Sequence, residues 1–142
     1  MLKKIDHVGI AVENLDEIIR TLQDGFDMLP NFEENIPDQL VRVAGYTLGE
    51  SVVEYLEPTS PDSGVARFLK DGKNRIHHIA FRVDNLSGSL KSLKEKGYQL
   101  IDEKPRDGAS GKKIAFLHPK SFNGILIELC EYPTGESTQS ND

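Results

Sequence analysis

Four side chains recur in a pattern that suits metal chemistry. The run Ile5-Asp6-His7-Val8-Gly9-Ile10-Ala11-Val12-Glu13-Asn14-Leu15 returns as Ile76-His77-His78-Ile79-Ala80-Phe81-Arg82-Val83-Asp84-Asn85-Leu86, with His7 and His78 separated by 78 − 7 = 71 residues. A second echo follows each copy. Val52-Val53-Glu54-Tyr55-Leu56-Glu57-Pro58 matches Leu126-Ile127-Glu128-Leu129-Cys130-Glu131, with Glu54 and Glu128 separated by 128 − 54 = 74 residues. Each copy thus supplies one imidazole and one carboxylate. Two of each suit a single divalent Co, Ni, Zn, Mn or Fe ion with positions left for water or substrate. The predicted metal ligands are His7, Glu54, His78 and Glu128.

Both histidines lie in runs that read as strands, where side chains alternate between faces. His7 then shares its face with Gly9 and Ala11, and His78 with Ala80 and Arg82. The opposite faces, Val8-Ile10-Val12 and Ile79-Phe81-Val83, are apolar and suited to packing on helices. Glu54 and Glu128 sit mid-strand among bulky residues, where an unpaired carboxylate costs several kcal/mol to bury. A shared cation removes that cost. A lone strand histidine is more often a hydrogen-bonding group than a ligand, and it is the matched repetition of both types that favours the ion. His77 must face away from His78 and reads as structural, while His118, before Pro119, ends a strand, where a histidine is more often clear of a ligand than in contact with one.

Residues 4–12 read as a strand, and Leu15, Ile18, Ile19 and Leu22 as one face of a helix closed by Gly25. Residues 26–34 read as a loop and short strand, interrupted by Pro37, and strands follow over 40–48 and over 51–57, with Pro58 as a stop. A short helix capped near Ser60 or Asp62, with Pro61 in its first turn, is expected before Asp71-Gly72. The second copy repeats the order: strand 76–83, helix 85–96 ended by Gly97, then strands 98–102, 113–118 and 125–131. The predicted fold class is α+β, two βαβββ modules forming a cupped, mixed sheet of about eight strands. The expected organisation is a first module over 1–58, a connecting helix and linker over 59–75, a second module over 76–133, and a disordered polar tail over 134–142.

At 142 residues the chain bounds one compact unit, or two modules sharing a core. No apolar run approaches the ~20 residues of a bilayer span, so no membrane association is expected. Met1-Leu2-Lys3-Lys4 passes directly into the first strand and leaves no room for a signal peptide. With one cysteine, Cys130, neither an intramolecular disulfide nor a cysteine-rich zinc site is available, which points to the cytoplasm. A net charge of −6 argues against nucleic acid. Between Lys104 and Lys120, however, Lys104, Arg106, Lys112, Lys113 and Lys120 face only Asp107 in sequence, a local patch suited to a small anion.

These motifs carry a family likeness over residues 4–133. The chain resembles the methylmalonyl-CoA epimerases of the vicinal oxygen chelate superfamily, which includes glyoxalase I. The likeness rests on Asp6-His7-Val8-Gly9-Ile10-Ala11-Val12, Leu56-Glu57-Pro58 with Ser60-Pro61-Asp62-Ser63, Ile76-His77-His78-Ile79-Ala80, and Gly111 to Ser121, where His118-Pro119-Lys120-Ser121 stands in place of the Asp-Pro-Asp-Gly turn usual in glyoxalases. The resemblance implies the paired βαβββ glyoxalase fold, a homodimer, and metal ligands at His7, Glu54, His78 and Glu128.

The implied reaction is epimerisation of an acyl-CoA, at the carbon between a thioester and a carboxylate, through a metal-chelated enolate. Glu128 is the candidate base, and Lys112, Lys113, Lys120 and Ser121 are candidates for binding coenzyme A phosphates or the substrate carboxylate. Val43 stands where some epimerases carry a glutamate proposed as a second base, and Leu22 to Met28 departs from the usual Phe-Tyr-x-x-x-Leu-Gly segment. Two other readings stay open: a glyoxalase I-like lyase acting on a thiol-derived hemithioacetal, and a non-enzymatic small-molecule-binding protein on the same scaffold.

Overall fold

A computed structural model describes residues 2–133; the tail expected to be disordered, 134–142, lies outside them. The strands are β1 (Lys4–Ala11), β2 (Phe32–Ile36), β3 (Val41–Leu48), β4 (Ser51–Pro58), β5 (Arg75–Arg82), β6 (Arg106–Asp107), β7 (Lys113–Leu117) and β8 (Ile127–Glu131). The helices are α1 (Leu15–Phe26), α2 (Gly64–Phe68) and α3 (Leu86–Glu95). The order is βαβββ, a short helix, and βαβββ again. Hydrogen-bonded strand neighbours run β2-β3-β4-β1-β5-β8-β7-β6, an eight-stranded mixed sheet. This is the α+β class and topology expected from the sequence. By its contacts the chain forms two compact units, one of Val8–His77 and one from the chain on either side of it. Both β1 and β5 therefore pass from one unit to the other part-way along their length.

In the unit of Val8–His77, β2 pairs antiparallel with β3 and β3 with β4. The apolar face of α1 closes on the sheet: Val12, Leu15, Ala44 and Tyr46 are buried, with Ile10, Ile18, Ile19 and Leu22 packed around them. Asn14 caps α1 by accepting from the backbone N–H of Glu17, and Asp16 and Glu17 place negative charge at the positive end of its dipole. The helix runs through Gly25 rather than closing on it, and ends at Asp27 in the left-handed conformation. The connecting helix α2 also starts later than expected. Its cap is Ser63, whose Oγ accepts from Val65 N–H, so Pro61 belongs to the preceding turn.

In the other unit, β5 pairs parallel with β8, β8 antiparallel with β7, and β7 with β6. Here α3 buries Leu86 and Leu90 against Val83, Ala115, Leu117 and Leu129. Each fully buried leucine contributes on the order of 2–3 kcal/mol of apolar transfer. The strand expected at 98–102 reduces to one bridge, Leu100 to Leu117, and the short paired strand lies at Arg106–Asp107 instead. Leu100 packs on the core from a loop while Tyr98 and Ile101 are exposed, an alternation that period-two counting cannot separate from a strand.

The repeat extends to how the helices are held. Asn85 caps α3 through Gly88 N–H, as Asn14 caps α1. The Glu57 carboxylate accepts from the first helical N–H of α1, Leu15, at 2.9 Å; Glu131 does the same for Leu86 of α3 at 2.6 Å. Glu57 and Glu131 stand 131 − 57 = 74 residues apart, the offset of Glu54 and Glu128. Backbone bonds match too, Val12 N–H to Leu56 and Val83 N–H to Cys130, both at 2.9 Å.

Candidate metal centre

Side-chain alternation places the chemistry on the strand face away from α3. On β5, Phe81 joins the α3 core, as does Val83 just after the strand, while His78, Ala80 and Arg82 point the other way. On β8, Leu129 joins that core and Glu131 caps α3, which leaves Glu128 and Cys130 opposite. Register sets Glu128 between Ala80 on β5 and Phe116 on β7, so the small residue on one side leaves space for the carboxylate. His78 meets Phe116 edge-to-face at 5.3 Å between ring centroids. His7 comes in from the N-terminal half of β1, in the same compact unit.

These placements converge. His7 Nε2 lies 3.1 Å from His78 Nε2, and their rings stand perpendicular. Glu128 presents one oxygen to each ring: Oε2 is 3.2 Å from His7 Nε2, and Oε1 is 3.1 Å from His78 Nε2. All three residues are at least 95% buried. Although Oε2 is close to His7, the angles do not make a hydrogen bond, and this buried oxygen has no hydrogen-bond partner among the described residues. The spacing is also one that a bound ion would set. Bonds of about 2.0–2.2 Å to nitrogen and oxygen ligands set neighbouring ligand atoms roughly 2.9–3.5 Å apart. His7, His78 and Glu128 accordingly form a candidate ligand group for a metal.

Burial alone would push the Glu128 carboxyl up, but the neighbouring charges of His7 and His78 outweigh it and hold the group well below the usual carboxylate range. Glu128 is therefore ionised.

Behind His7 lies a residue the sequence pattern did not single out. Asp6 is buried, and its Oδ2 accepts from His7 Nδ1 at 2.8 Å and from the Tyr132 hydroxyl at 3.3 Å. Its Oδ1 faces an Arg82 nitrogen at 3.5 Å, and the Arg82 guanidinium stacks 3.8 Å from the centre of the Tyr132 ring. Desolvation raises the Asp6 carboxyl, but the His7 hydrogen bond, the charges of His7 and Lys112 and the Tyr132 hydroxyl together lower it to about 2. Strict alternation sets Asp6 and His7 on opposite faces, yet both are buried and bonded to each other. The available signal was an aspartate inside a strand, where burial without partners is costly.

Glu54, the fourth predicted ligand, is buried on β4 opposite Gly45 of β3, in the unit of Val8–His77. His77 points away from His78, as alternation required, with its ring edge-to-face on Phe68 at 4.7 Å. His118 caps a short turn, its Nδ1 accepting from Lys120 N–H. The basic run is largely engaged within the chain. Lys113 pairs with Asp107, Arg106 approaches Asp102 at 3.4 Å, and Lys112 is buried with its ammonium on the Ala109 carbonyl. Lys120 is exposed, and Ser121 Oγ accepts from Gln99 N–H.

Residues 6–116, a span that includes His7, Glu54 and His78, match the Glyoxalase/Bleomycin resistance protein/Dioxygenase superfamily. The chain belongs to this superfamily. An uncharacterized protein of Bacillus subtilis (strain 168) is 38% identical over 141 residues, 99% of this chain and 100% of that one. The ethylmalonyl-CoA/methylmalonyl-CoA epimerase of Cereibacter sphaeroides is 35% identical over 131 residues, 91% of this chain and 98% of the relative. Among solved structures, a variant of Streptomyces coelicolor methylmalonyl-CoA epimerase in complex with 2-nitronate-propionyl-CoA superposes with a TM-score of 0.90 at 33% identity, covering 96% of this chain and 99% of the other. The superfamily membership agrees with the resemblance drawn from the motifs, and epimerases are among its near relatives. No helix among the described residues is long and apolar enough to cross a membrane.

Proposed function

We propose that this protein is a metal-dependent epimerase of methylmalonyl-CoA, removing and returning the proton on the carbon between thioester and carboxylate. The observation that carries the reading is the buried His7–His78–Glu128 triangle within a chain whose relatives include named epimerases. His7, His78 and Glu128 would hold one divalent ion, Co, Ni, Zn or Mn. Glu54 enters as the fourth ligand on the repeat: it is the counterpart of Glu128 and is buried mid-strand. The ion would supply positive charge where negative charge develops as the α-proton leaves.

Glu128 is the proposed base. It is ionised, which is the form that accepts a proton, and its low basicity suits a carbon acid made more acidic by its surroundings. Val43 is buried on β3 and has no titratable group to act from the other face. Lys113, Lys120 and Ser121 are proposed to meet the anionic groups of the acyl-CoA. Lys112, being buried, acts through its charge on Asp6. The protein is proposed to work as a cytoplasmic homodimer, a state that sedimentation would test.

The deciding experiment incubates one epimer of methylmalonyl-CoA with the metal-loaded protein in deuterated water. Exchange at the α-carbon together with formation of the other epimer is expected. Absence of both, alongside turnover of a thiol-derived hemithioacetal, would move the assignment to a lyase. Glu128→Gln is expected to lower kcat on the order of 10²–10⁴-fold with a smaller effect on KM.

A further inference from the structure

We propose that Asp6 is a positioning residue for the metal centre: it holds His7 with the proton on Nδ1, so that Nε2 is the atom turned to the ion, and Arg82 and Tyr132 hold Asp6. The inference rests on the reading of His7 as a metal ligand and goes beyond it to the groups that fix that ligand.

The geometry is a chain of contacts within one compact unit. Oδ2 of Asp6 accepts from His7 Nδ1 at 2.8 Å, a separation typical of a hydrogen bond to a charged acceptor. With Nδ1–H committed, Nε2 is the ring atom 3.1 Å from His78 Nε2 and 3.2 Å from Glu128 Oε2. A ring rotated by half a turn would aim carbon at the ligand triangle, so the bond to Asp6 selects orientation as well as tautomer. Asp6 cannot swing away readily, since the Tyr132 hydroxyl binds the same oxygen at 3.3 Å and Arg82 faces the other at 3.5 Å. Arg82 is in turn stacked on the Tyr132 ring. A buried carboxylate held by three side chains is costly to assemble unless it serves something, and the atom it serves is Nδ1 of His7.

The repeat sharpens the point. Position 6 corresponds to position 77, since 77 − 6 = 71, and there the second copy has a histidine that packs on Phe68. The aspartate beside His7 is thus a feature of one copy. It was not duplicated along with the ligands, and it depends on Arg82 and Tyr132 from β5 and the segment after β8. Metal-bound histidines that lose a carboxylate partner on their second nitrogen commonly lose about 10–100-fold in metal affinity.

The test uses the full chain in two measurements. First, nitrogen NMR on metal-free protein with labelled histidine, above the ordinary histidine titration range, reads the tautomer of His7, assigned against the His78→Gln variant. The expected result is Nδ1–H with a bare Nε2, and a mixture or the reverse in Asp6→Asn. Second, competition with a chromophoric chelator reads zinc and cobalt affinity. Asp6→Asn is expected to weaken binding about 10–100-fold and to alter the visible spectrum of the cobalt form, with Tyr132→Phe moving both less. His7 found protonated on Nε2 in the native protein would overturn the proposal, even if Asp6→Asn failed to fold. So would an Asp6→Asn variant with native tautomer and native affinity. Native protein that binds neither ion would instead remove the metal reading, and the tautomer measurement would still judge the Asp6–His7 pair.

Discussion

The strands β1 and β5 are copies of one another, and they differ most where each histidine is supported. In β1 the residue before the ligand candidate is Asp6, buried and bonded to His7 Nδ1. In β5 it is His77, half-buried and set edge-on to Phe68. Other paired positions stayed alike: Glu57 and Glu131 each bind the first N–H of a helix, and Asn14 and Asn85 each cap one. Both copies keep the groups that each half needs to fold and the groups proposed to face a shared metal. Position 6/77 answers to neither demand, so one copy turned it to electrostatics and the other to packing.

That comparison can be broken at several points, and the largest effect is expected at the ligands. His7→Ala with His78→Ala should remove bound divalent metal, measured by elemental analysis, and lower epimerase turnover by about 10³-fold or more. Retained stoichiometric metal would show that the two strands do not supply ligands. Next comes acid stability. The Asp6 carboxyl lies at about 2 against an ordinary 3.8, so its contribution is fully present above pH 3.8 and is lost as pH falls from there toward 2. At ~1.4 kcal/mol per pH unit this is roughly 2 kcal/mol, and Asp6→Asn should flatten the native protein's acid-unfolding curve in that window. An unchanged curve would mean that Asp6 is no more stabilised in the fold than in the unfolded chain.

Smaller effects test the symmetric positions. Glu57→Ala and Glu131→Ala should each cost about 1–2 kcal/mol in denaturant unfolding, because each leaves a helix N–H without its carboxylate. A large difference between the two would break the equivalence of the copies. The smallest effect is expected at His77. His77→Ala should leave metal content and turnover near native and lower stability by about 0.5–1.5 kcal/mol, the worth of an edge-to-face aromatic contact.

Much of this was legible from the order of residues. Element order followed from hydrophobic period and caps, since Asn14-Leu15 and Asn85-Leu86 each mark a helix start with its first core leucine. The burial of His7, Glu54, His78 and Glu128 followed from polar residues recurring inside apolar strands, and His77 was rightly turned away from His78 by alternation. The boundaries that moved did so for local reasons. Gly25 is tolerated inside α1 because the helix is held by packing on its apolar face, and within 98–102 Leu100 packs on the core through a single bridge to Leu117 rather than as part of a strand.

What the chain alone determined is a repeat, and a repeat specifies matching local structure because periodicity and capping act over a few residues. Which atoms meet depends on register and crossover, set by long-range pairing that no local pattern encodes. Only the tertiary structure decided that Nε2 of His7 faces His78 and Glu128, that Asp6 turns to its own neighbour, and that Arg82 and Tyr132 close around it. Contacts spanning 76 and 126 residues of chain are fixed by the fold's topology, and only there does a buried carboxylate find the partners that make its burial tolerable.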